Sequence, residues 1–161
     1  PGMQAPRQED QRAMSPRIPG FRATFITIGA IYVLLASSML VRGVGALRQF
    51  DVPESVIASP VLEDFFMFFY QYMAWTGLLM ALFGVVTREL INQILLAAVY
   101  CAANLLLAWR DLSTSDSRFG NALYRGSDTL VFVCISLVFA AAFGLLLVLG
   151  LRKRRAFSSA G

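Results

Sequence analysis

The chain has no histidine. That absence removes haem ligation through imidazole, most catalytic zinc sites, the Ser-His and Cys-His nucleophile pairs and histidine proton shuttles. Cysteine is nearly absent as well. Cys101 and Cys134 each fall inside an apolar run and form no C-x-x-C, so they build no disulfide framework. Both read as small free hydrophobes, with a bridge or redox pair as the alternative. No Walker A loop and no G-x-G-x-x-G occurs, and no cofactor or metal is expected. Lysine appears once, at Lys153, the other 13 basic residues being arginine.

Charge as a whole is scarce. Of 161 residues, 15% are charged and 57% hydrophobic, whereas a soluble domain is about a quarter charged and about half apolar. The shortfall is concentrated in long uncharged stretches, which puts the chain in a membrane. Basic residues cluster at the ends of those stretches rather than on a soluble face, so nucleic acid is not an expected partner.

Four segments, Ala23–Val41, Phe65–Thr87, Leu90–Trp109 and Thr129–Leu151, carry no charge and contain no proline. Each approaches the 20 or so helical residues that cross a hydrocarbon core of about 30 Å. Backbone groups in lipid need internal partners, so uninterrupted helices are the expected form. Pro1 and Gly2 ahead of Met3 read as a cloning scar. A signal peptide is the alternative to a retained first span, but the first segment is 19 residues long and no small-x-small site follows it. The expected organisation is a polar tail over 1–22, an all-α four-helix membrane bundle over 23–151 and a basic tail over 152–161.

The distribution of arginine sets the expected orientation. One side collects Arg7, Arg12, Arg17, Arg22, Arg88 and the Arg152–Arg155 run with three acids; the other collects five arginines with seven acids. Both termini are therefore expected in the cytoplasm, and a bacterial inner membrane is the expected location. The Arg-Lys-Arg-Arg run reads as a topology anchor, with an anionic-lipid site as the sharper alternative.

The second and third segments are joined by little more than Arg88-Glu89, which predicts an antiparallel hairpin between them. Pro53-Glu54-Ser55-Val56-Ile57, in the first long connection, predicts a short interfacial helix. The second long connection predicts turns at Gly120-Asn121 and Gly126-Ser127. Small residues supply packing faces: Gly29, Ala36 and Gly43 on the first segment, Ala74, Gly77, Ala81 and Gly84 on the second, Ala97, Ala98 and Ala102 on the third, and Ala140 with Gly144 on the fourth. Close backbone approach is what holds helices together in lipid, where apolar burial contributes little.

Two groups of side chains are candidate sites. Phe65, Phe66, Phe68, Phe69 and Tyr72 crowd one end of the second segment. Interfacial belts favour Trp and Tyr over Phe, so this cluster reads either as belt and core or as a docking surface for another membrane protein. The second group lies in the outer half: Ser37, Tyr70, Gln71, Trp75, Tyr100 and Asn104, with Ser38 and Cys134 nearby. Tyr70 and Asn104 fall at similar depth, and a hydrogen bond between them is expected. Above sits a rim of Arg42, Glu63, Asp64, Arg110, Asp111 and Asp128. The group reads as interhelical hydrogen bonding beneath a salt-bridged cap, or as a cavity for lipid or an amphipathic small molecule.

Function is bounded by what the spans lack. Without an ionisable group inside a span, a proton-coupled transporter has no coupling site. An enzyme acting on a lipid-like substrate would have to use Glu63, Asp64, Asp111 or Asp128 with Tyr or Arg. A small oligomeric channel lined by Asn104 or Gln93 is a second alternative. The expected function is a non-catalytic accessory, assembly or scaffold subunit, whose partners are membrane lipids and another membrane protein or further copies of itself. The layout resembles small four-span families such as the DoxX-like proteins in architecture alone, and carries no residue roles over.

Overall fold

The computed structural model describes residues 17–50, 52–114 and 127–159. Helix follows helix: Phe21–Arg42 (α1), a 3₁₀ helix over Val44–Phe50, the single turn Glu54–Ile57 (α2), Pro60–Val86 (α3), Leu90–Thr114 (α4) and Ser127–Ser158 (α5). There is no strand among the described residues, and α1, α3, α4 and α5 are each long and apolar enough to cross a membrane.

Local chemistry explains the ends. Gly20, at φ 76°, and Gly43, at φ 63°, hold the left-handed backbone that flanks α1, and the Gly43 amide closes on the Met39 carbonyl at 2.9 Å. Pro60 occupies the first turn of α3 after Ser59, with Glu63 in the same turn, so the helix starts five residues before the uncharged stretch. A short helix forms where one is expected, as α2, with Pro53 as its N-cap. Helix α5 runs through the basic run to Ser158. At about 1.5 Å per residue its 32 residues extend roughly 48 Å, well beyond a hydrocarbon core of about 30 Å. The turns expected at Gly120-Asn121 and Gly126-Ser127 fall on or beside residues 115–126, outside the described residues.

The helices pair in sequence order. Helix α1 packs along α3 and α4 along α5, while the expected hairpin between α3 and α4 does not form. Small residues decide this outcome. A Cβ placed on Gly77 would lie 2.6 Å from the Gly29 carbonyl oxygen, and one on Gly84 2.9 Å from the Phe25 Cβ. The small face of α3 is thus used up against α1. On α4 and α5, the buried Ala97 and Ala140 and the partly buried Gly144 belong to the other pair. What α3 and α4 turn toward the space between them is bulkier, Val86 on one side and Leu95 and Val99 on the other, and all three stay more than half exposed.

Aromatic side chains join the two pairs. Phe25 is fully buried, and its ring meets those of Tyr100 at 5.3 Å and Phe143 at 5.2 Å, both edge-on. Tyr32 approaches Phe139 at 6.0 Å. The residues just before α1 lock the same junction: Ile18 is buried against Ile94 and the backbone at Gly150. Lys153 Nζ donates to the Arg17 carbonyl at 2.7 Å, so the entry to α1 and the end of α5 lie at one end of the bundle. This basic end carries Arg17, Arg22, Arg88 and Arg152 to Arg155, with Glu89 as its one acid among the described residues. The opposite, loop end is capped by Ala46, Leu47, Val52 and Ile57 folding over Met39 and Phe66.

Candidate functional site

The outer-half polar group does not converge. Tyr70 belongs to the loop-end cap, half-buried with its ring 4.6 Å from Phe66 and 5.1 Å from Phe69. Tyr100 lies in the junction between helix pairs, stacked on Phe143 at 5.3 Å. Ser37, Gln71 and Trp75 are exposed on the outer surfaces of α1 and α3. The expected Tyr70–Asn104 hydrogen bond is not made. Asn104 Nδ2 donates instead to the Tyr100 carbonyl of its own helix at 2.8 Å. Its Oδ1 is buried without a partner among the described residues.

Two of the rim charges, Arg42 and Arg110, have partners close by in sequence. Arg42 donates to Gln49 Oε1 at 3.0 Å and approaches the Met39 sulfur at 2.9 Å. Arg110 Nη2 lies 2.7 Å from Asp111 Oδ1, and Asp111 is 5% exposed. Glu63 and Asp64 are exposed at the start of α3, where negative charge suits the helix dipole. The side chain of Asp128 lies outside the described residues. One further ion pair, Arg48 to Glu54, ties the 3₁₀ helix to α2. Its hydrogen bond holds the Glu54 carboxyl below the usual range and raises Arg48.

The α3 aromatics divide into two sets. Phe66, at 4% exposure, is buried in the loop-end cap and takes no part in an outer surface. Phe65, Phe68, Tyr72 and Trp75 are each about two-thirds exposed, and Phe69 nearly half. Spacings of three and four place them along one flank of α3, away from the flank that Gly77 and Gly84 press against α1.

Gln93 does more than its position near the turn indicated. Its Oε1 accepts from the Ile18 amide at 2.8 Å and its Nε2 donates to the Thr87 carbonyl at 3.0 Å. One buried side chain thereby ties the entry of α1 and the α3–α4 corner to α4. Spacings of three and four put it on one face of α4 with Ala97, Tyr100 and Asn104; the two backbone partners are set by tertiary structure and leave no local signal. Cys101 and Cys134 are both free thiols. No three Cys, Asp or Glu residues converge as a metal site among the described residues.

No family model, no curated protein and no solved structure matches the chain. Architectural resemblance therefore brings no activity with it, and function rests on the surfaces just described.

Proposed function

We propose that the chain is a non-catalytic accessory or assembly subunit of a larger membrane complex, docking through the exposed aromatic flank of α3. The observation that carries this reading is the row Phe65, Phe68, Tyr72 and Trp75, about two-thirds exposed on a helix packed against α1 on its other flank. Large rings with few rotatable bonds anchor protein contacts at low entropic cost. Three of the exposed rings at this end, Phe65, Phe68 and Phe69, are Phe rather than the Tyr and Trp that headgroup belts prefer. The channel alternative is less well supported, because Gln93 and Asn104 are buried within the bundle rather than presented to another copy.

Orientation follows the same reasoning. The excess of arginine at the basic end supports a cytoplasmic position for both termini in a bacterial inner membrane, and reporters fused to each terminus test it.

A photo-crosslinking amino acid at Phe68, expressed in native membranes, tests the docking reading. A discrete adduct with a larger membrane protein at Phe68, and none from the same probe at Val138 on α5, is the expected result. Adducts with lipid only, or with a second copy of the chain, overturn it.

A further inference from the structure

Helices α3 and α4 are joined by three residues yet diverge, leaving a cleft of about 570 Å³ between them at the basic end. From the corner to Val99 it spans about ten residues of α4, or roughly 15 Å. That depth equals one leaflet of a hydrocarbon core about 30 Å thick. The walls are Phe83, Val86, Leu95, Leu96 and Val99, without a polar group; the mouth holds Thr87, Arg88, Glu89 and Asn92.

The mouth holds one cation and one anion. Asn92 Nδ2 donates to Glu89 Oε2 at 2.9 Å, holding that carboxylate on the α4 side with its charge intact. Arg88 is exposed and forms no ion pair or hydrogen bond among the described residues. At the same end lie six further cations, Arg17, Arg22 and Arg152 to Arg155, against Glu89 as the one acid among the described residues. Such an end attracts anionic lipid, at a strength set by each juxtamembrane arginine.

We infer that this cleft is a site for one anionic phospholipid of the leaflet facing the basic end, with its headgroup phosphate at Arg88 and an acyl chain along Leu95, Leu96 and Val99. The excess of cations at the basic end and a lined length of one leaflet favour this occupant. A transmembrane partner helix offers no phosphate to Arg88. The site is separate from the α3 flank proposed for docking and does not depend on it.

Native mass spectrometry of the full chain in detergent, titrated with phosphatidylglycerol or phosphatidylcholine, tests the inference. One phosphatidylglycerol is retained in preference to phosphatidylcholine. Arg88→Gln weakens that retention about fivefold, the factor one juxtamembrane arginine contributes. Val99→Trp fills the wall and abolishes it, while Arg154→Gln, on the projecting end of α5, leaves it unchanged. Arg88 and Val99 are both exposed, and an unchanged melting temperature shows that each variant is folded. If Val99→Trp nevertheless fails to fold, Leu95→Gln replaces it as the wall variant. Equal retention of the two lipids, retention surviving both cleft variants, or loss in Arg154→Gln alone overturns the inference. So does a dimer of the chain that Val99→Trp dissociates.

Discussion

The backbone amide of Ile18 donates to Oε1 of Gln93 across 2.8 Å, joining the entry of the first spanning helix to the start of the third. Both residues are almost fully buried, so neither group has water as an alternative partner. Gln93→Leu strands the buried Ile18 amide, whereas the part-buried Thr87 carbonyl keeps access to water at the corner. A buried unsatisfied group costs about 1–3 kcal/mol, and a loss of that order is expected in detergent denaturation. Hydrogen exchange at the Ile18 amide should accelerate with it. An unchanged exchange rate would show that another acceptor replaces the glutamine.

Gly77 and Gly144 both lie in packed helices but should respond oppositely to a methyl group. At Gly77 the new Cβ meets a carbonyl oxygen at 2.6 Å and two side chains at 2.9 Å, and a backbone carbonyl cannot rotate away. Gly77→Ala should destabilise by about 1–3 kcal/mol, the usual range for overpacking. At Gly144 the nearest atom is Cys101 Sγ at 3.6 Å, an ordinary contact. Gly144→Ala should be neutral or slightly stabilising, and thermal unfolding of the two variants side by side is the check.

Phe25 is the keystone between helix pairs. In water-soluble proteins Phe→Ala costs about 3–5 kcal/mol. In lipid the transfer contribution shrinks and the lost ring contacts remain, so the lower end of that range is expected for Phe25→Ala. The loss should fall on the junction between pairs. Cysteine crosslinking between α1 and α4 should weaken while crosslinking between α1 and α3 persists; equal loss of both would refute the two-pair description.

The Arg48–Glu54 pair gives the loop-end cap a pH dependence. The folded carboxyl lies below its ordinary value of 4.5, so its contribution is fully present above 4.5 and fades as pH falls through the folded value. Exposure of both partners keeps the effect small and salt-sensitive. Amide exchange in the 3₁₀ helix and α2 should rise on acidification through that window, and Glu54→Gln should already show the raised exchange at neutral pH.

Much of this architecture was legible in the chain. Four uncharged stretches defined four spanning helices because lipid permits few other forms, and Pro53 with Glu54 announced α2 because a proline at a helix start is a local signal. The pairing of helices was not legible. A three-residue connection between the second and third spans implied a hairpin, but loop length only permits contact. Whether contact forms depends on which small residues face which, and Gly77 could not be matched to Gly29 from spacing alone. The polar group failed for the same reason: Tyr70 and Asn104 share a depth but not a neighbourhood. Helical periodicity gives the faces of one helix without the rotation of the next. The aromatic row on α3 was visible as composition, and only the burial of Phe66 separated its inner member from the exposed ones.

Sequential pairing has a consequence for biosynthesis. Helices α1 and α3 can associate in the bilayer while α4 is still inside the ribosome, since every group in their interface has already been made. The contacts of Phe25 with Tyr100 and of Ile18 with Gln93 must wait for α4, and those with Phe143 and the backbone at Gly150 must wait for α5. A truncated or stalled product therefore leaves the large ring of Phe25 and the polar amide of Ile18 uncovered near the membrane surface.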